Sequence, residues 1–404
     1  MNFTEAVSHI VITCSSGVSP YLAKEVQDLG LPVTGRNETA VMTEGSMEEA
    51  MRLNLHLRTA HRVFWQVAGF RADDADELYA KSCSVPWEDY IDPDGYFTID
   101  VSVDNPTIRN DFFARVRLKD AVADRLRDLF GRRPDSGSED DAGACLFLHW
   151  VGRKADIYLN TSGPALSKRG YRVSQVPAPM RETLAAAVVM ASGWDGESHF
   201  LNPMCGGGTL AIEAAWMATH RAPGLSREHF AFMDVVGYDA ALWRPMLQEA
   251  VKAIRPLPEG VQIVASDIDA LALRAAQENA MAANVFEALS FDQCDVSLSP
   301  VPQEGNGVIV INPPYGTRLG DAVKLRSTYA AIGAFLAANA ERFRGFVFTA
   351  SPDLSDCIGL DPVQSLPFFN ARLDSRLMEF GGGVQRTFRH AVDDGTAPDD
   401  VVGS

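Results

Sequence analysis

VIVINPPYG, from Val308 to Gly316, couples four apolar β-branched residues to a rigid turn. The run Val308–Ile311 has the composition of a strand buried on both faces, as in a parallel sheet. Pro313 and Pro314 cannot donate to a sheet ladder, so the strand is expected to stop at Asn312. An amide, a prolyl carbonyl and an aromatic ring then stand at the carboxyl end of a parallel strand, the edge where open α/β sheets bind ligands. That set suits one kind of chemistry. The exocyclic amino group of a nucleobase is a weak nucleophile, because its lone pair is delocalised into the ring. The Asn312 side-chain oxygen and the Pro313 carbonyl can accept its two hydrogens, turning the lone pair towards an electrophile. Tyr315 offers a stacking face, a contact worth about 1–3 kcal/mol. With a sulfonium methyl group as electrophile, positioning and dipoles supply most of the catalysis, and neither metal nor strong base is required. The same residues also fit a plain Pro-Pro turn with a core tyrosine.

Upstream, His199–Met204 predicts a strand, Cys205–Thr209 (CGGGT) a tight glycine-rich turn, and Leu210–Thr219 an Ala-rich helix. This is the layout of a nucleotide-cofactor site, in which glycines let backbone approach the ligand. The turn is not G-x-G-x-x-G, so a smaller adenosyl ligand fits better than a dinucleotide; a merely tight βα turn fits too. Val261–Ala265 predicts the next strand, ending at Asp267, where an acid commonly binds both ribose hydroxyls. A capping role for Asp267 stays open, while Asp269 is expected to cap the helix Leu271–Ala283. Leu289–Phe291 predicts a short third strand, and beyond it Asp295 either accepts from an adenine amino group or is a simple turn aspartate. VIVI makes the fourth. Glycine turn, ribose acid, adenine acid and NPPY thus follow successive strand ends of one doubly wound sheet.

The first half reads as smaller α+β pieces. His9–Thr13, Ala40–Thr43 and His61–Phe70 predict strands, separated by helices ending near Leu29 and His56. Asp76–Ser82 predicts a helix, Tyr96–Val103 a half-buried strand, and Phe112–Phe130 a long amphipathic helix. Pro134–Gly143 is a polar loop, Leu146–Val151 and Ala155–Leu159 a strand pair, Val176–Pro179 a linker, and Arg181–Ser192 a helix. SKRGYR (Ser167–Arg172) interleaves cations with Tyr171, which fits phosphate contacts beside a stacking ring as well as an exposed hairpin end.

Composition bounds the partners. A chain of 404 residues, 46% hydrophobic and 22% charged, is expected to be a soluble protein of about two or three domains. No apolar run is long enough to span a bilayer, and the start MNFTEAVSHIVITCSS lacks the basic leader of a signal peptide. The six cysteines are scattered without C-x-x-C, so a reduced, cytoplasmic compartment and no metal are expected. A net charge of −17 argues against nucleic acid, but eight basic residues face four acidic ones between Asn105 and Pro134. They include Arg109, Arg115, Arg117, Lys119, Arg125, Arg127 and Arg132. This is either a solvated face or a local surface for RNA.

These motifs give the chain a resemblance to the THUMP-containing bacterial RNA methyltransferases, and among them to the enzymes that methylate the 2-amino group of a guanine in 23S rRNA. The likeness runs through NLHLRTAHRV (Asn54–Val63), PWEDYIDPDG (Pro86–Gly95), SKRGYR, RETLAAA (Arg181–Ala187), NPMCGGGTLAIEAA (Asn202–Ala215), RAPGL (Arg221–Leu225), SDID (Ser266–Asp269) and NPPYGTRLG (Asn312–Gly320). It implies an α/β protein with a ferredoxin-like region over 1–70, a THUMP RNA-binding domain over 71–172, a Rossmann-like class I methyltransferase domain over 173–392 and an acidic tail over 393–404. It implies S-adenosylmethionine as cofactor, held by Thr183, Asn202, Pro203, Cys205, Gly206, Gly208 and Thr209, with Asp267 on the ribose and Asp295 on the adenine. Asn312, Pro313, Pro314 and Tyr315 would carry the target base, and Lys168, Arg169, Tyr171 and Arg172 the RNA. Two positions depart from the pattern. Asn202 stands where aspartate is usual, keeping hydrogen bonds but losing a charge that could meet the cofactor's ammonium group. Gly207 stands where serine is usual. Some relatives continue into a second methyltransferase domain; from the end at Ser404 a single activity is expected. The target base would be unpaired or flipped out, with Phe113 near the flanking RNA. A tRNA guanine, an adenine 6-amino group, or an inert RNA-binding assembly factor are the rival readings.

Overall fold

The computed structural model describes residues 6–132, 134–136, 143–315, 322–370 and 373–381. The acidic tail, residues 137–142 of the polar loop and the second half of NPPYGTRLG lie outside them. The first half is built on β1 (Ser8–Thr13), α1 (Ser19–Asp28), β2 (Gly35–Arg36), β3 (Ala40–Gly45), α2 (Met47–His56), β4 (Arg62–Arg71), α3 (Ala75–Ser82), β5 (Tyr96–Asp104), α4 (Asp111–Phe130), β6 (Asp135–Ser136), β7 (Ala144–Val151) and β8 (Lys154–Asn160). Local chemistry sets the ends of these elements. Ser46 and Glu49 form a capping box at α2, satisfying two of the amide groups that a helix start leaves free. Asn110 caps α4, and Gly131, at φ 70°, stops it. Within the polar loop expected at 134–143, β6 pairs parallel to β5.

The eight strands form one sheet in the order β2-β3-β1-β4-β8-β7-β5-β6. Its continuity depends on β4. Trp65 on β4 is opposite Ile10 of β1 on one side and Leu159 of β8 on the other. The two units separated at residue 70 in the sequence therefore share a strand.

The basic stretch 105–134 is not the free cationic surface that its composition suggests. Arg117 is paired with Asp76 at 2.8 Å, Arg125 with Glu88 at 2.5 Å, Arg127 with Asp124 at 2.9 Å, Arg132 with Asp94 at 2.6 Å and Arg115 with Asp100 at 4.0 Å. Most of these acids come from α3, β5 and the loops between, which fold back onto α4.

The second half contains α5 (Glu182–Ala191), β9 (His199–Pro203), α6 (Thr209–Ala218), α7 (Ala240–Lys252), β10 (Ile263–Asp267), α8 (Ala270–Ala282), β11 (Leu289–Gln293), β12 (Gly307–Ile311), α9 (Ala322–Asn339), β13 (Phe343–Thr349), α10 (Pro352–Ser355), β14 (Gln364–Asn370) and β15 (Leu373–Phe380). Their sheet runs β11-β10-β9-β12-β13-β15-β14, with β15 antiparallel to both neighbours and the other six strands running in one direction. The chain moves outward from β9 to β11, then crosses back to lay β12 on the other side of β9. The crevice between the carboxyl ends of β9 and β12 is thus the topological switch point of a doubly wound sheet, as the strand-end order predicts. Every residue of β9 is buried, in keeping with helices on both faces.

The halves meet along a closed seam. At Gly224, within RAPGL, a Cβ would stand 2.7 Å from Leu55 Cα, so only glycine lets this turn seat on α2. Arg58 Nη2 donates to the Arg221 carbonyl at 3.0 Å, while Glu25 accepts from the Arg58 and Thr59 amides at 2.7 and 3.0 Å. At Gly17 a Cβ would overlap the Pro367 carbonyl, and Tyr21 stacks on Phe368 with ring centroids 5.9 Å apart. The first loop of the chain therefore lies on β14.

Candidate active site

The ladder between β9 and β12 ends at Leu201–Ile309, just short of the crevice. From there the strands splay, and side chains take over from backbone. Asn202, only 1% exposed, donates from Nδ2 to the Val310 carbonyl at 2.8 Å, a bond that a carboxylate could not make. Its Oδ1 is buried and has no hydrogen-bond partner among the described residues. Directly after β12 the Asn312 Oδ1 is in the same condition. Thr183 Oγ1, in the first turn of α5, is a third such atom. Buried polar atoms of a folded protein are normally satisfied, and exceptions ask for a missing partner.

The glycine-rich turn follows β9. Met204, Gly206 and Gly208 all have positive φ (57°, 54° and 78°), so the backbone coils tightly enough to bring α6 in directly behind the strand. Gly208 is the N-cap residue of α6 and supplies no side-chain cap, leaving the first amides of the helix open to a ligand. Pro203 and Thr209 are buried on either side of the turn. Cys205 is buried as well. Burial, reinforced by the Asp267 carboxylate, pushes its thiol well above the ordinary value, so it stays protonated and is no nucleophile.

Asp267 accepts from the Gly206 amide at 2.9 Å through Oδ2 and from the Asp269 amide at 2.9 Å through Oδ1. It therefore ties the end of β10 to the glycine turn. Asp269 caps α8, as its position predicts. Asp295 is exposed beyond β11 and accepts from the Ser297 hydroxyl at 2.6 Å and the Ser297 amide at 3.0 Å. Those bonds, the hydroxyl first, hold its carboxyl below the usual range.

Pro313 is buried, Pro314 is exposed and Tyr315 is half-buried against the smaller of the two apolar clusters. A residue that sequence reasoning missed holds the tyrosine: Asn370, at the end of β14, donates from Nδ2 to its hydroxyl at 2.8 Å. Nothing local to NPPY signals it. Among the described residues no group of three or more His, Cys, Asp or Glu is placed to hold a metal ion, and no helix is long and apolar enough to cross a membrane.

The RNA contacts expected of SKRGYR need correction. Lys168 is exposed, but Arg169 and Tyr171 are each 1% exposed and face inward. Tyr171 donates its hydroxyl to Glu213 of α6 at 2.9 Å, and the Arg169 Nε lies 3.3 Å from the same carboxylate. Neither can stack on a base or touch a phosphate. Arg172 is largely buried too, and is bonded to the Met180 carbonyl at 2.7 Å. Phe113 remains half exposed at the start of α4.

The chain matches three family descriptions in succession: an RlmL ferredoxin-like domain over residues 9–64, a THUMP domain over 72–159, and an RMKL-like methyltransferase domain over 169–379. A ribosomal RNA large subunit methyltransferase K/L of Syntrophotalea carbinolica is 37% identical over 387 residues, which cover 93% of this chain and 54% of that protein. The chain spans about half the length of the curated relatives it matches. Among solved structures, one described as a methyltransferase complexed with SAH superposes with a TM-score of 0.84 at 27% identity, covering 94% of this chain and 99% of that one. Another, from Listeria monocytogenes and described as a predicted N6-adenine-specific DNA methylase, gives 0.85 at 30% identity over 93% and 97%. The matched methyltransferase region holds the whole switch-point site and more than half of the sequence, and the chain belongs to the RMKL-like methyltransferase-domain family.

Proposed function

We propose that this chain is an S-adenosylmethionine-dependent methyltransferase acting on the exocyclic 2-amino group of a guanine in 23S rRNA. The Asn312 side-chain oxygen, buried at the switch point and without a partner among the described residues, carries this reading. It needs a donor, and an exocyclic amine is a donor of the right size to approach over Tyr315. The residues present fit the cofactor. Thr183 Oγ1 and Asn202 Oδ1 lack partners among the described residues, the head of α6 has no side-chain cap, and Asp267 retains lone pairs for ribose hydroxyls. In this reading Asn202, Pro203, Cys205, Gly206, Gly208, Thr209 and Thr183 line the amino-acid end, and Asp295 accepts from the adenine. Asn202 offers the ammonium group a neutral oxygen in place of a carboxylate, so cofactor affinity is lower than an aspartate would give.

When bound, S-adenosylmethionine supplies an electrophilic sulfonium methyl carbon and leaves as S-adenosylhomocysteine. The protein's own part is to hold the amine. Asn312 Oδ1 and the Pro313 carbonyl accept its two hydrogens, Tyr315 fixes the plane of the base, and the proton displaced by methylation passes to water. Ribosomal RNA as substrate rests on the names of the relatives and implies a cytoplasmic site of action.

The test is a nucleoside digest of 23S rRNA and tRNA from cells with and without the gene. One 2-methylguanosine is expected to vanish from 23S rRNA and to be restored by the wild type but not by Asn312→Ala, which should lose at least about a hundredfold in rate. Loss from tRNA would overturn the substrate. Loss of 6-methyladenine would favour the second reading, which the Listeria relative supports, since NPPY presents any exocyclic amine alike.

A further inference from the structure

Residues 172–176 leave the N-terminal sheet for the catalytic one, and on the way they are fastened to both flanks of the glycine-rich turn. Arg172 Nη2 donates to the Met180 carbonyl at 2.7 Å and lies 3.4 Å from both Thr209 Oγ1 and Glu182 Oε1. It thereby joins the first turn of α5 to the first turn of α6. Asn279, buried on α8, grips the same segment from the opposite side. Its Nδ2 donates to the Ser174 and Gly207 carbonyls, each at 3.0 Å, and its Oδ1 accepts from the Ser174 amide at 2.9 Å. A Cβ at Gly207 would stand 3.3 Å from Val176 Cγ2, so this strap packs directly on the turn.

Three consecutive glycines have no side chains with which to fix themselves, and their freedom costs more entropy to order than any other residue's. The bonds that hold Gly207 and Thr209 come instead from outside the turn. The other end of the strap is anchored, because Arg169 and Tyr171 are buried against Glu213 of α6.

We propose that Arg172 and Asn279 are positioning residues of the cofactor site, which set the glycine-rich turn and the head of α6 in the geometry that binds the ligand. Arg172 thus serves the cofactor and not the RNA. This rests on the reading of the turn as the S-adenosylmethionine site.

The full chain and its Arg172→Ala and Asn279→Ala variants are titrated with S-adenosylhomocysteine by calorimetry, and with 23S rRNA transcript by filter binding. Each variant is expected to bind the cofactor product about tenfold more weakly, the factor that one lost hydrogen bond of ordinary strength gives. KM for S-adenosylmethionine should rise alike, with kcat at saturating cofactor and RNA affinity held within about twofold of wild type. Arg172→Lys should recover part of the loss through the Met180 carbonyl. Should an alanine variant fail to fold by circular dichroism, Asn279→Asp carries the test, since it keeps volume and the bond from the Ser174 amide but loses both donated bonds. Folded variants that bind S-adenosylhomocysteine like wild type would overturn the proposal. So would loss of RNA affinity alone at Arg172. A wild type that binds no S-adenosylhomocysteine would sink the underlying reading instead.

Discussion

Asn370 reaches Tyr315 from the far edge of the sheet, and the bond it makes fixes the ring to which the proposed function assigns base stacking. Without it the tyrosine keeps its face but gains freedom about its side-chain torsions, and that freedom must be removed again at each turnover. Tyr315→Phe and Asn370→Ala should therefore each lower the methylation rate by about three- to tenfold, the price of one hydrogen bond. The double variant should be no worse than either alone, because one interaction is being removed twice. Additive losses in initial rates on 23S rRNA would show that Asn370 acts elsewhere. At this scale the sequence was legible where chemistry forced a conformation. Two prolines must end a strand, so Asn312 and Tyr315 could be set on its carboxyl edge from their order alone. Asn370 has no such signature. Asp267 was half legible: its place at a strand end could be read, but its bonds to the Gly206 and Asp269 amides depend on how β9 and β10 align.

Among the elements, α6 and the strap show where sequence patterns mislead. SKRGYR has the same alternation of cation and ring whether it lies on a surface or is folded into an interior. What distinguishes the cases is the presence of a buried carboxylate to meet it, and Glu213 lies in a helix that is otherwise apolar after Thr209. The basic residues of α4 and just beyond it mislead for a like reason, since Asp76, Glu88 and Asp94 arrive from distant segments. The buried cluster has a pH signature. Burial, opposed by Arg169, the Tyr171 hydroxyl and Arg58, raises the Glu213 carboxyl to about 7. A folded-state pKa above the unfolded one means that the protonated acid favours the fold, and this contribution is lost as pH rises through about 7. Glu213→Gln abolishes that titration. The unfolding free energy of wild type minus that of the variant should therefore fall between pH 5 and 8, as read from urea melts. A difference independent of pH would mean that the carboxyl is ionised throughout.

On the scale of the whole molecule, the order of strand ends was readable because each motif is local and the doubly wound topology links them in sequence. The fusion of the first two units was not readable, because strand pairing between β4 and β8 joins residues far apart in the chain and leaves no mark on either. Division at residue 70 therefore has a physical cost. A fragment starting at residue 71 would present β8 with a bare edge, the template on which sheets aggregate. Such a fragment should elute as oligomers in size-exclusion chromatography, whereas a monomer with native-like circular dichroism would show that β4 is dispensable.

The seat of Gly17 and Tyr21 on Pro367 and Phe368 bears on the order in which the protein is made. Synthesis delivers the amino-terminal unit first, and domains generally fold as they emerge. Yet α1 keeps an aromatic face uncovered until β14, near the other end of the described chain, has left the ribosome. Of the two surfaces in this contact the earlier-made one must therefore wait with its aromatic face in water until the later one has been synthesised.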